Sequence, residues 1–301
     1  MTAALIALDW GTSSLRAWCL DEGGRVLDQH ESPEGILHVK DGFAAAFDRI
    51  TGAWRKENPN LPALASGMIG SAQGWKEAPY LPCPAGPEEL AGAMIALPEH
   101  GLHIVPGVAQ RHPADVMRGE ETQIAGALAL NPALRAEAHL VMPGTHSKWV
   151  TLRDGRIEGF TTFMTGELFA VLKDHSILGR FAKAPAGDDE AFSRGLQAAQ
   201  EGDLPSRLFS ARADVLLGDR AAASSLDYLS GLIIGAEIAS ALRHMTPQAA
   251  PVLIGAPALV DRYRRALAAF GLADAPAIAH TAVAGLWQIA RAARLIEGTR
   301  P

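Results

Sequence analysis

The chain is poor in cysteine, poor in aromatic side chains and short of positive charge, and it has no apolar run of bilayer length. Its two cysteines, Cys19 and Cys83, are too few and too far apart for a disulfide framework or a cysteine-based metal site. Cys19 falls in a predicted buried strand and reads as a small core residue, so a reducing, cytoplasmic setting is expected. The histidines offer no metal-ligand spacing: His100 and His103 stand three apart in loop-like sequence without a third ligand. A net charge of -6 excludes a protein whose main work is to coat nucleic acid or an anionic membrane. It leaves room for a locally basic phosphate pocket. Ala3 to Leu8 has no Lys or Arg before it and Asp9 directly behind it, which is a first strand and not a signal peptide. Leu229 to Leu242 is interrupted by Glu237 and falls short of the roughly 20 residues that cross a bilayer. A soluble protein with a small-molecule partner is therefore expected, with no nucleic acid and no membrane; oligomeric state is left open.

What is present suits a folded α/β chain. Of 301 residues 48% are hydrophobic and 20% charged, enough for a core and for two domains. Leu5–Leu8 and Leu15–Leu20 are apolar runs separated by Gly11-Thr12-Ser13-Ser14, and Gly23-Gly24 turns the chain into a third strand over Arg25–Gln29. Phe43, Phe47, Ile50 and Trp54 recur at helical spacing. A strand over Ala63–Ala65 runs into Ser66-Gly67-Met68-Ile69-Gly70-Ser71, a short helix is expected over Pro87–Ala96, and His103–Val105 is a further strand. Gly119–Leu130 reads as a helix opened by acids, favourable at the positive end of its dipole. Leu140–Met142, a turn over Pro143–Lys148, Trp149–Arg153, an Asp154-Gly155 turn and Ile157–Phe160 repeat the opening meander. Helices are expected over Thr165–Leu178, Asp188–Gln200, Tyr228–Arg243, Leu259–Phe270 and Val283–Ile296, with a strand at Val252–Ile254.

The repetition is the central signal. Gly11-Thr12 and Gly144-Thr145 each sit between apolar strands, each is followed by a second glycine turn, and each has a basic residue just beyond it, Arg16 or Lys148. Glycine lets phosphate oxygens approach the backbone, and successive N–H groups with a hydroxyl form an anion-binding concavity. Asp9 at the strand end beside Gly11 suits a magnesium ion or its waters, and equally suits the N–H groups of the turn itself.

At this point the chain resembles a known family. Ile6-Ala-Leu-Asp-Trp-Gly-Thr-Ser-Ser-Leu-Arg-Ala-Trp18 looks like the first phosphate motif of the sugar-kinase and actin superfamily, and more narrowly of the 2-dehydro-3-deoxygalactonokinases. The narrower match is carried by Gly67–Ser71, Gly74–Lys76 with Ala78–Tyr80, Val116–Gln123, Val141–Trp149, Met164–Glu167 and Leu229–Glu237. The resemblance implies an α/β fold of two actin-like (ribonuclease H-like) domains flanking a nucleotide cleft. The first would cover 1–118 with sugar-acid elements; the second would cover 119–301 with the second phosphate hairpin and adenosine segment, its last helix free to return to the first domain. It implies Mg-ATP-dependent phosphorylation of the 6-hydroxyl of 2-dehydro-3-deoxy-D-galactonate, by direct in-line transfer, in galactonate breakdown.

Residue by residue, the resemblance puts Glu120 on the position of the usual aspartate base, with Glu121 as its immediate alternative. Lys148 would meet the transferring phosphoryl group; Asp9, Gly11, Thr12, Ser13, Gly144, Thr145 and His146 would hold phosphates and metal. Gly255 and Ala256 stand where the superfamily has the Gly-Gly of its adenosine segment. Arg118 or Arg16 would pair with the substrate carboxylate, and Met68, Gly70, Ser71 and Trp75 would form the sugar-acid wall. Glu167 and Glu237 read more naturally as structural acids. Open alternatives are a kinase of the same fold for another sugar or sugar acid, an acyl-phosphate-forming kinase, and a non-catalytic nucleotide-dependent regulator.

Overall fold

The computed structural model describes residues 2–245 and 250–296. The chain forms two compact units, one of 1–138, 151–160 and 279–301, the other of 139–150 and 161–278.

The first unit opens with the expected meander, β1 (Ala3–Trp10), β2 (Leu15–Asp21) and β3 (Val26–Ser32). Helix α1 (Phe43–Glu57) follows and buries Phe47, Ile50 and Trp54. Strand β4 (Ala63–Ser66) lies parallel to β1 with Ser66 opposite Asp9. Then come β5 (Tyr80–Pro82), α2 (Pro87–Gly92), β6 (Ile95–Leu97), β7 (Leu102–Ile104), β8 (Gly107–Arg111), β9 (Ala114–Met117) and α3 (Glu120–Leu130). Six of these strands make one sheet in the order β3-β2-β1-β4-β7-β6, while β5, β8 and β9 make a small second one. β1 and β4 are apolar on both faces because both faces are covered. The helix expected over Pro87–Ala96 stops at Gly92, and Ile95–Leu97 pairs with β7 instead.

Along the chain there follow β10 (Glu137–Met142), β11 (Ser147–Arg153) and β12 (Arg156–Phe163), of which residues 139–150 and 161–163 belong to the second unit, and then, within that unit, α4 (Thr165–His175), α5 (Asp189–Gln200), α6 (Leu204–Arg207), α7 (Ser210–Leu217), α8 (Ser225–Leu242), β13 (Val252–Leu253) and α9 (Pro257–Ala269). These strands form a sheet in the order β12-β11-β10-β13, with β13 parallel to β10. The stretch Ala222–Leu242 is long and apolar enough to span a membrane by composition, but 78% of its most apolar window is buried within the protein. Val141, Trp149, Phe192, Leu196, Ile238, Leu253 and Tyr263 form the core beneath it.

The last helix among the described residues is α10 (Thr281–Ala292), which belongs to the first unit. The division expected between residues 118 and 119 is corrected here: α3 groups with the first unit. The reason is its crossing with α10, where Gly126 lies against the Thr281 carbonyl and Gly285 against that of Thr122. Residues 151–160 also belong to the first unit. Ile157 exchanges backbone hydrogen bonds with Ala85, and Phe160 N–H donates to the Gln110 side chain.

Candidate active site

In the first unit the carboxyl ends of β1 and β4 meet the start of α3, the end of a sheet at which α/β proteins bind ligands. Asp9 is the penultimate residue of β1 and stands directly across from Arg16 on β2. Arg16 Nη2 lies 2.6 Å from Asp9 Oδ2. Burial pushes the Asp9 carboxyl above its ordinary value, and the Arg16 charge opposes this. Beyond Asp9 the chain turns tightly, with Gly11 N–H donating to Ser14 O at 2.9 Å. Thr12 and Ser13 are exposed on this turn. Ile36 and Leu37 support it from behind by donating to Gly11 O and Thr12 O. Gly35 is required there, since a Cβ would come within 2.4 Å of the Ser13 and Ser14 backbone.

Ser66 leads into Gly67, whose φ of +92° and close approach to Trp10 O exclude a side chain. A Cβ on Gly119 would meet Gly67 Cα at 3.3 Å, so the first residues of α3 stand next to the ends of β1 and β4. The two acids expected as base differ sharply. Glu120 is half-buried, and its Oε2 accepts from Arg118 N–H at 3.0 Å. Glu121 is fully buried; both its oxygens accept from Gly119 N–H, and Oε1 also accepts from Thr122 Oγ1. Burial, reinforced by the neighbouring Glu120 charge, pushes the Glu121 carboxyl up to about 7.

Arg118 is buried under the 68–80 segment. Its Nη2 donates to Ala78 O at 2.8 Å and its guanidinium lies 4.2 Å from the Tyr80 ring centre. Its Nη1 is buried without a hydrogen-bond partner, as is the Oγ of Ser71. A Cβ on Gly70 would stand 3.0 Å from that same Nη1, so Gly70, Ser71 and Arg118 belong to one neighbourhood. Met68–Gly70 is a single 3₁₀ turn. Trp75, expected as an indole wall for the sugar acid, is partly buried. Its ring is taken into an aromatic cluster with Trp10, Phe43, Phe47 and His100, at centroid distances of 4.7 to 6.3 Å.

In the second unit Gly144, Thr145 and His146 form the exposed turn between β10 and β11. Lys148, expected within that turn, is instead a buried residue of β11. The turn is backed by the start of α4. Gly166 packs so closely that a Cβ would come within 2.6 Å of Gly144 O, Glu167 N–H donates to Thr145 O, and His146 Nε2 lies 2.5 Å from Glu167 Oε2. β13 delivers Gly255 beside Pro143, and Ala256 caps α9.

Three glycines at these turns are not explained by protein packing. A Cβ would meet nothing closer than 3.5 Å at Gly11, 4.0 Å at Gly144 and 3.5 Å at Gly255, and none of the three has a positive φ. Their small size leaves open backbone surface of the kind that a phosphate or a nucleotide approaches. Among the described residues no group of three or more His, Cys, Asp or Glu is arranged to hold a metal ion. A magnesium ion delivered on a triphosphate needs only one or two protein carboxylates, and Asp9 beside the first turn fits that requirement.

The segment Gly35–Leu37 was not singled out by sequence, which shows only an isolated glycine there. Glu237, read from sequence as structural, accepts hydrogen bonds from Ser147, Trp149, Thr165 and Tyr263.

The family model described as 2-keto-3-deoxy-galactonokinase matches residues 9–289. A curated relative from Rhizobium meliloti (strain 1021), named as a 2-dehydro-3-deoxygalactonokinase, is 45% identical over 299 residues, covering 95% of this chain and 96% of its own. The 2-dehydro-3-deoxygalactonokinase of Escherichia coli (strain K12) is 38% identical, covering 97% and 99%. A crystal structure from Sinorhizobium meliloti, named for the same activity, superposes with a TM-score of 0.86 at 42% identity, covering 96% and 98%. An activator of 2-hydroxyisocaproyl-CoA dehydratase from Clostridium difficile, solved with bound ADPNP, shares the fold at a TM-score of 0.51 and 12% identity, covering 99% and 100%.

Proposed function

This chain belongs to the 2-keto-3-deoxy-galactonokinase family, and from that premise we propose that it uses Mg-ATP to phosphorylate 2-dehydro-3-deoxy-D-galactonate on its 6-hydroxyl. The observation that carries the sugar-acid half of this reading is Arg118, a buried guanidinium with one unpartnered nitrogen beside Gly70 and Ser71 and two residues before Glu120. A guanidinium is the natural partner of a carboxylate, and an acid close by suits a hydroxyl that must lose its proton.

In this reading Arg118, Met68, Gly70 and Ser71 receive the sugar acid, while Trp75 holds their segment against the core. Glu120 takes the proton of the 6-hydroxyl as its oxygen attacks the γ-phosphorus; the bond from that phosphorus to the bridging oxygen breaks, and ADP leaves with the electron pair. Glu121 is the weaker candidate for base, because its oxygens are committed to Gly119 N–H in the interior. It fixes the start of α3 instead. The turns Gly11–Ser13 and Gly144–His146 bind phosphates through backbone N–H and hydroxyl groups, and Gly255 and Ala256 take the adenosine. Asp9, oriented by Arg16, would hold the magnesium ion, which when bound neutralises the phosphate oxygens. Lys148, under the second turn, adds fixed positive charge.

A panel of sugar acids and the matching aldoses, each incubated with Mg-ATP and followed by ADP release, tests the reading. Turnover of the 2-dehydro-3-deoxy sugar acid well above every aldose is expected. Equal or faster turnover of an aldose would remove the carboxylate role given to Arg118.

A further inference from the structure

Glu237 is a buried carboxylate on α8 that the chemistry above does not use. Its Oε1 accepts from Ser147 Oγ at 2.8 Å and from Trp149 Nε1 at 2.7 Å. Its Oε2 accepts from Tyr263 OH at 2.7 Å and, at still closer range, from Thr165 Oγ1. Four neutral donors thus come from β11, α4 and α9, and no Lys or Arg is paired with the carboxylate among the described residues. Burial pushes its pKa up while these hydrogen bonds pull it down. A charge held this way loses its hydration, and an apolar residue of similar size would fill the space at lower cost. What the carboxylate supplies is geometry, because each donor has one direction.

Those donors flank the Gly144–His146 turn on both sides. Ser147 is the first residue after the turn. Ser147 and Trp149 share one face of β11, so Lys148 between them is held to the opposite face. Thr165 starts α4, whose next residue, Gly166, lies against Gly144 O, and whose Glu167 N–H holds Thr145 O. We propose that Glu237 is a positioning residue for nucleotide binding, one that clamps β11 and α4 together so that the Gly144–His146 turn and Lys148 keep the arrangement that accepts phosphates. This rests on the reading of that turn as a nucleotide-phosphate site.

Glu237→Gln keeps the shape but offers one acceptor oxygen and places an amide N–H₂ among groups that all donate. Calorimetric titration with a non-hydrolysable ATP analogue should show binding weakened about tenfold, as expected for losing a hydrogen bond to a charged group. KM for ATP should rise in step while KM for the sugar acid stays within about twofold. Gly166→Ala, which presses on the turn without touching the carboxylate, should show the same split. A folded Glu237→Gln protein with wild-type affinity for the analogue, or with both KM values raised equally, would overturn the proposal. Should Glu237→Gln not fold, Thr165→Val and Tyr263→Phe each remove one donor and should weaken the analogue about threefold; unchanged binding in both would overturn it as well. The titration needs no turnover, so a wild-type protein that binds the analogue yet phosphorylates no sugar acid would defeat the functional reading and leave this comparison intact.

Discussion

Gly126→Ala should damage both stability and turnover although it adds one methyl group away from any reacting atom. At the crossing of α3 and α10 that Cβ would stand 1.9 Å from Thr281 O and 2.7 Å from Gly285 N. Ordinary contact lies at roughly 3.5 Å, so the helices must part by about 1.5 Å. Both neighbours are backbone and cannot swing aside, which puts the cost at the upper end of the roughly 1–3 kcal/mol of overpacking. Alanine's helix preference returns about 1 kcal/mol, leaving a net loss of about 2 kcal/mol. For a domain of this size that is a fall in Tm of roughly 4–8 °C, measurable by circular dichroism. Because α3 carries Glu120 at its first position, a displacement near 1 Å should also reduce kcat, by as much as about 100-fold. Gly52→Ala is the control: it lies inside α1 with nothing within 4 Å of the new Cβ, so Tm should hold or rise. A Gly126→Ala protein with wild-type Tm and kcat would refute the argument.

Three further outcomes follow from the first unit. Glu121 has its pKa raised from 4.5 to about 7, so between those values the folded chain keeps a proton that the unfolded chain has released. Stability from this group is therefore complete below about pH 4.5 and is lost as pH rises through about 7, up to about 3 kcal/mol; Glu121→Gln should flatten that slope in urea titrations at pH 5, 6 and 8. Glu120→Gln should lower kcat about 10²- to 10⁴-fold with little change in either KM, and unchanged turnover would remove it as base. Arg118→Lys should raise KM for the sugar acid at least about tenfold and leave KM for ATP alone; an unchanged KM would make Arg118 a purely structural prop for Ala78 and Tyr80.

The repeated meander was legible in sequence because its signals are local. Apolar runs broken by Gly11, Gly24, Gly144 and Gly155 mark β1 to β3 and β10 to β12, although the strands extend beyond the expected bounds by up to three residues. The partition of the chain was not legible, since Gly126 and Gly285 look like any helical glycines until their helices are seen to cross. Lys148 was assigned to a turn because basic, polar sequence surrounds it. β11 starts two residues earlier than expected, at Ser147, whose hydroxyl bonds to Glu237, 90 residues away. The β8–β9 hairpin was missed because its strands are only five and four residues long and show little alternation. At the site, the motifs drew attention to Asp9 and Glu120, but only the fold separates half-buried Glu120 from enclosed Glu121. The use of Trp75 in packing depends on rings contributed from Trp10 to His100, which no local pattern encodes.

The most direct test of the account is the identity of the product. Incubating the chain with Mg-ATP and 2-dehydro-3-deoxy-D-galactonate, then recording ³¹P and ¹³C spectra, should show one new phosphomonoester whose phosphorus couples to carbon 6. A phosphorylated carboxyl that reacts with hydroxylamine, a phosphate on another hydroxyl, or unconsumed ATP with folded protein would contradict it.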